Sequence, residues 1–507
     1  MGKSNVHFKT YQQGQTMAFP PTLEELIDKD HPVRIVSKII DELDLEPLLK
    51  KYKGGGTSSF HPRMMLKVIV YSYLNNVYSS RKMESAIKEN IHFMWLSGMS
   101  KPDHNTLNRF RSDRLRGVIK HIFGKVVELL VASDHVSLQQ VYTDGTKIEA
   151  SANRYTFVWG KSIKTNKEKI ESQLQELWAY AEGVAKEELK DKAPTTFAPI
   201  SPEHIKDTVD KIDEALRDKP VDKKIKQKIN YAKKNWPENV AKYQQQEQIL
   251  GDRGSYSKTD PDATFMRMKE DHMKNGQLKP GYNIQFSTSD QYVVNYSIHQ
   301  TTNDVNTLKE HLNFHQALHD SYPRTLTADA GYGSEENFEL LDQLNIEGFV
   351  KYTSFDRNQR GKDEPFKSEN FHYNEELDCF YCPMGQQMKR MKEGKRITAT
   401  GFEQQVIFYQ AQRCAGCPLR SSCHSSEANR TIEVNHRLRK YKSKMKEKLT
   451  SEEGVRQRKK RCADVEPVFG NIKSNHGFKR FHLRGLDKVD IETGLLAIAQ
   501  NLRKRAA

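Results

Sequence analysis

The order of short apolar segments between residues 138 and 352 restricts this chain to few architectures. Val141, Tyr142 and Thr143 are β-formers, and residues 138–144 predict a strand that presents Asp144 at its far end. Two alternating runs, 282–288 and 292–299, flank Ser289-Asp290-Gln291 and predict a β-hairpin. A helix over 307–318 follows, then a short strand from Arg324 that ends in Asp329. A turn carrying Gly331 and Gly333 leads to a helix over 334–344, and 348–352 is again strand-like. Strand, hairpin, helix, strand, helix, strand is the order of a three-layer α/β core. Such folds present ligands at strand ends, where Asp144 and Asp329 are expected. An Asp beside Gly is equally a turn residue. These two alone assign no chemistry.

A third carboxylate alters that balance. Glu466 lies among Val465, Val468, Phe469 and Ile472, between basic flanks. Upstream runs Arg456-Gln457-Arg458-Lys459-Lys460-Arg461, and downstream lie Lys473, Lys479, Arg480 and Arg484. Alone, Glu466 reads as a surface ion pair on a basic helix. With partner carboxylates it reads as a metal ligand in a nucleic-acid groove, where Lys and Arg hold phosphates. Two magnesium ions about 3.5–4 Å apart stabilise the attacking and leaving oxygens of a phosphodiester displacement.

Charge supports that class of partner. Lys and Arg number 81 against 66 Asp and Glu, a formal charge of +15 over 507 residues. From Thr431 to Ala507 there are 20 basic and 9 acidic residues, so most of the excess lies in the last segment. A concentrated basic segment favours phosphate backbones through counterion release. The same segment holds Phe478, Phe481 and Leu495-Leu496-Ala497-Ile498-Ala499, so it should fold rather than remain a solvated tail. No apolar run reaches the length of a membrane span, and the first residues lack a signal-peptide core; a cytoplasmic protein with no membrane partner is expected.

The rest of the chain divides by composition. Residues 1–125 read as a helical N-terminal domain: Leu23, Leu26, Ile27, Ile35, Ile39, Ile40 and Leu43 recur at helical spacing, Gly54-Gly55-Gly56 marks a break, and His61-Pro62 opens a further helix. Asp103 is placed to cap a polar helix bearing Thr106, Asn108, Arg109 and Arg111, which suits the recognition helix of a helix-turn-helix or a plain packing helix. Core segments 138–160 and 255–355 are separated by a charged helical insertion, 160–250. Residues 356–430 are cysteine-rich, and 431–507 form the basic C-terminal part that carries Glu466. Cys379, Cys382, Cys414, Cys417 and Cys423, with His424 behind them, include two CxxC pairs of the kind tetrahedral zinc takes; buried thiols or a redox pair are the alternatives. Cys417 and Cys423 both remain open as the fourth ligand. A four-thiolate site has no open position, so its role would be structural.

The stretches Thr143-Asp144-Gly145-Thr146-Lys147-Ile148-Glu149-Ala150, Thr327-Ala328-Asp329-Ala330-Gly331-Tyr332 and Val465-Glu466-Pro467-Val468-Phe469-Gly470-Asn471-Ile472-Lys473, with the tail from Gly477-Phe478-Lys479-Arg480-Phe481 to Leu483-Arg484-Gly485-Leu486, resemble bacterial insertion-sequence transposases of the DDE class. The resemblance implies a ribonuclease-H-like catalytic fold and a helical N-terminal DNA-binding domain. It makes Asp144, Asp329 and Glu466 the acidic ligands of two Mg2+ or Mn2+ ions, with Asp464 and Glu149 as neighbouring decoys. Lys473 matches the lysine of the Tyr–Arg–Glu–Lys signature and Arg461 the arginine; Arg458 or a neighbour stands where the tyrosine is expected. Lys479, Arg480, Arg484, Thr106 and Arg109 would join them on DNA. The implied reaction is cleavage at the element's terminal inverted repeats and attack of the freed 3′-hydroxyl on target DNA, by a homodimer. The alternatives are a transposase-derived DNA-binding protein that no longer cuts and a related metal-dependent nuclease.

Overall fold

The structure is a computed structural model that describes residues 13, 18–52, 59–190, 197–268, 276–360 and 364–507. The Gly54–56 break lies outside the described residues. The chain divides into two compact units, one of residues 1–118 with 498–507 and one of residues 119–497.

The first unit is helical. His31 and His61 each accept the backbone N–H two residues on (3.2 Å) and are each followed by Pro, whose fixed φ suits a first helical turn; they open helices Pro32–Glu42 and Pro62–Leu74. Val33, Val36 and Ile40 of one and Met65, Leu66 and Ile69 of the other are buried. The expected helical spacing at Leu23–Ile27 gives only a turn, and Leu26 is exposed. Asp103 does cap its helix, accepting from Thr106 N at 2.7 Å. Helix His104–Arg109 runs on into a wider turn, Phe110–Arg114, and is tied to helix Ser80–Glu89 where His104 N and Nδ1 meet Glu84 at 3.0 and 2.7 Å.

The second unit is built on a six-stranded sheet. Its strands are β1 (Gln140–Glu149), β2 (Thr264–Arg267), β3 (Leu278–Ser289), β4 (Tyr292–His299), β5 (Thr325–Ala328) and β6 (Glu347–Val350). The order runs β2-β3-β1-β5-β6, and β4 also pairs with β3. β1 is antiparallel to β3 and parallel to β5, which is parallel to β6. The hairpin turn is tighter than expected: Asp290 and Gln291 both have positive φ, as a two-residue turn between twisted strands requires.

Side-chain alternation along β1 distributes helices to both faces. Tyr142 and Asp144 point one way, and Tyr142 Oη donates to Gln457 Oε1 (2.9 Å) on helix Glu452–Gly470. Thr143 points the other way, bonded to Ser287 (2.8 Å), which in turn meets His311 (2.8 Å) on helix Leu308–His319. Helix, sheet and helix make three layers. Among the described residues the insertion folds as three long helices, Gly160–Val184, Pro202–Leu216 and Lys223–Leu250, and one short one, Lys186–Leu189, around its own apolar core. The cysteine-rich segment is an antiparallel five-stranded meander with strands in chain order, from His372–Asn374 to Thr431–Val434. Among the described residues no helix is long and apolar enough to cross a membrane.

Candidate active site

Asp144 is not at a strand end. β1 continues to Glu149, so Asp144 sits mid-strand, opposite Phe286 on β3 and 7% exposed. The neighbouring strand supplies the end instead: β5 stops at Ala328, opposite Thr143, and that flank of β1 is taken up again at Glu149 by Lys479–Phe481. Asp329 turns into that opening and caps a short helical turn through Gly331 N (2.8 Å), while Asp144 Oδ1 accepts from Gly145 N (2.8 Å).

Helix Glu452–Gly470 brings the third acid across the sheet. Four residues of helix rise about 6 Å and two of strand about 6.6 Å, so contacts four apart on one match contacts two apart on the other. Gln457 meets Tyr142, and Arg461 meets Asp144. Phe469 stacks on Phe286 at 5.1 Å, and Val465 and Val468 are fully buried, which fixes the helix while Glu466 stays exposed. Pro467 has no N–H to offer Ala463 O; Gln291 Nε2 donates there instead, at 2.9 Å.

Arg461 lies at the centre. Its Nη1 is 3.4 Å from Asp144 Oδ2, an ion pair without hydrogen-bond geometry, and its Nη2 donates to Glu466 Oε1 at 2.9 Å. A guanidinium is rigid and about 2.3 Å between those nitrogens, so these two carboxylate oxygens stand within about 9 Å of each other. Burial disfavours the Arg461 cation, but Asp144, Asp329 and Glu466 together outweigh it and hold the group above its ordinary pKa. Among the described residues no three His, Cys, Asp or Glu side chains close on one metal position. Arg461 stands between Asp144 and Glu466 and pairs with both.

The decoys have other work. Asp464 accepts from Gln291 N (2.9 Å) at the hairpin turn, and Glu149 takes Arg154 through two bonds of 2.8 Å. Several predicted DNA contacts prove to be buttresses as well. Lys473 is 7% exposed and donates to Lys147 O (2.8 Å); Arg480 reaches Ala150 O and Ala152 O; Arg484 reaches Ser151 O. Arg458 donates to Leu449 O (3.2 Å) and lies over Phe355. Lys479, Arg480 and Arg484 keep exposed side chains, as does Arg109 in the first unit; Thr106 is half-buried. Arg111, by contrast, is 3% exposed and bonds Tyr78 O (2.6 Å) and Tyr73 Oη, so it cannot face a groove.

Of the cysteines, Cys382, Cys414, Cys417 and Cys423 line one cavity with His424 and Arg430. Arg430 donates to Cys423 Sγ (2.6 Å) and, from its backbone, to Cys414 Sγ (3.3 Å). Both ring nitrogens of His424 are buried without a hydrogen-bond partner. Cys379 is buried in strand Cys379–Tyr381 and does not line this cavity.

Two family models match the chain: a transposase DDE domain over residues 381–506 and a transposase domain (DUF772) over residues 21–113. No curated protein and no solved structure matches it.

Proposed function

Because the chain belongs to the insertion-sequence transposases of the DDE class, we propose that it cuts DNA at the ends of its element and joins the freed 3′-hydroxyl to target DNA, with Asp144, Asp329 and Glu466 as ligands of two Mg2+ or Mn2+ ions. One observation carries the reading. A single guanidinium, Arg461, meets Asp144 and Glu466 and is held charged by Asp329 as well, although the three acids lie in distant parts of the sequence. A cation already stands among them, and a divalent ion would take its place once the acids close on it. Bound there, the ions would stabilise charge on the attacking and leaving oxygens.

The chain's own residues supply the rest. Backbone N–H groups fix one oxygen each of Asp144 and Asp329, so these two acids are preorganised; Glu466 is exposed and able to adjust. Arg461, released from the carboxylates, is positioned to take a DNA phosphate, and Lys479, Arg480 and Arg484 extend that surface. The β4-β3-β1-β5-β6 order, antiparallel on one side of β1 and parallel on the other, supports a ribonuclease-H-like core. Arg109 and Thr106 serve the terminal repeats from the helical unit, and two element ends call for a homodimer. Cys382, Cys414, Cys417 and Cys423 would hold a structural zinc ion once their thiolates close on it, a reading supported by their shared cavity and the Arg430 donors to two sulfurs.

The test uses duplex DNA carrying an element end, with Mg2+ or Mn2+. Asp144→Asn, Asp329→Asn and Glu466→Gln should each lower cleavage by at least about 100-fold, the range seen when one charge-stabilising group is removed, while DNA binding persists. Binding without cleavage by the unaltered protein in either metal would leave only a DNA-binding role. Cleavage that survives all three substitutions would place the chemistry elsewhere.

A further inference from the structure

We propose that Tyr155 and Phe157 form a stacking platform for unpaired bases of the DNA, with the adjoining phosphates held by Arg154, Lys258 and Arg480. This inference rests on the DNA-cutting reading given above and adds to it the form of DNA that the chain takes.

The platform lies just past the strand that carries Asp144. After β1 ends at Glu149, the chain passes through residues 150–156 into a short strand, Phe157–Trp159, paired antiparallel with Ser255–Ser257. Tyr155 is 78% exposed and Phe157 46%. Neither owes that exposure to a loose loop. Asn153 N donates to Thr259 Oγ1 and Tyr155 N to Asn153 Oδ1, both at 2.8 Å, and Lys258 N donates to Thr156 O at 3.0 Å. Arg480 holds Ala150 O and Ala152 O, and Arg484 holds Ser151 O. Phe157 is braced by Phe265, which is 5% exposed and meets it edge to face at 5.8 Å. Opposite Phe157 stands Ser257, too small to cover the ring. One exposed ring on a surface needs no explanation; two rings held two residues apart among cations do.

The rim has one sign. A single buried carboxylate, Glu149, is shared by three cations: Arg154 through two bonds of 2.8 Å, with Lys279 and Arg480 each 3.9 Å away. Positive charge is therefore in excess, and exposed Lys258 makes no ion pair among the described residues. The acids nearby are spent on the protein itself. Asp260 accepts from Tyr282 Oη (3.0 Å) and Gly485 N (3.2 Å), and Asp262 from Leu486 N (2.9 Å). Exposed rings between cations match an unpaired nucleotide: the ring takes a base face that a duplex would hide, and the cation takes the phosphate. From Asp144 to Glu149 the strand advances about 17 Å, about five nucleotides of one DNA strand. One DNA molecule can therefore engage both places.

Two duplexes of one sequence, one blunt and one with a short single-stranded dT overhang, test this by their binding to the full-length protein in EDTA. The unaltered chain should favour the overhang by about tenfold or more, and Tyr155→Ala should lower that ratio by about fivefold or more, the scale of one base stacked on one ring. Tyr155→Phe keeps the ring and should keep the preference. Equal affinity for the two duplexes overturns the inference and leaves the DNA reading standing, as does a preference that Tyr155→Ala retains in full. If neither duplex binds, the DNA reading fails and the inference with it. A second measurement needs no variant: 5-iododeoxyuridine in the overhang, irradiated on the unaltered protein, should cross-link to Tyr155 or Phe157. Cross-links confined to other residues overturn the inference.

Discussion

Asp464 and Glu466 are two residues apart on one helix, yet they face different neighbours and carry opposite obligations. Glu466 is exposed toward Arg461; Asp464 is buried against the hairpin turn, accepting from Gln291 N. Burial pushes the Asp464 carboxyl above its ordinary value, outweighing the bonds from Thr288 and Gln291 that lower it. An acid whose pKa rises on folding stabilises the fold below its unfolded pKa, and that contribution is lost as pH rises through the folded value. Asp464→Asn keeps the acceptor and abolishes the ionisation. Thermal melts should show the variant more stable than the parent at pH 7–8, with the gap closing as the pH falls toward 4, and cleavage retained. A gap that widens toward acid, or loss of cleavage with normal folding, would assign Asp464 to the chemistry. At this scale the sequence was informative about residue type and silent about direction. Arg111 carried the same basic label as Arg109, but only tertiary packing put one beneath Tyr78 and left the other outside.

Elements differ in how far they could be anticipated. The hairpin was legible because alternation and a polar turn are local signals, and its positive-φ residues Asp290 and Gln291 complete the pattern. The end of β1 was not, because β1 outruns β5 and no local signal marks where a partner strand stops. The register that sets Arg461 over Asp144 depends on Phe469 meeting Phe286, a pairing between chain segments far apart. The cysteine meander is intermediate. Spacing indicated metal ligands; Cys382, Cys414, Cys417 and Cys423 line one cavity, while Cys379 lies in a strand. Elemental analysis of purified protein should find about one zinc per chain. Cys417→Ser should lose it, and Cys379→Ser should keep it. Retention of zinc by Cys417→Ser, or its absence from the parent, rejects this ligand set.

For the whole molecule, composition pointed to a phosphate-binding partner, and the +15 charge remains the broadest argument for one. What composition could not show is that Lys473, Arg480 and Arg484 also hold the chain from Lys147 to Ala152 by its carbonyls. The 95-residue length between Gly160 and Gly254 raises a separate question of architecture. Its two ends meet in a small ladder, where Phe157–Trp159 pairs antiparallel with Ser255–Ser257 and Trp159 lies opposite Ser255. Beyond that neck the described residues pack mainly on their own apolar core, while Ile163 and Leu250 at its base pack on Val158 and Tyr256 of the ladder. The neck is thus a socket. An Asn-Gly turn can close such a pair, so a chain with 160–254 replaced by Asn-Gly should keep the β1–β6 sheet and melt cooperatively by circular dichroism. A truncated chain that no longer folds would show the insertion to be a pillar of the core; one that folds would make this socket a place where foreign modules can be mounted.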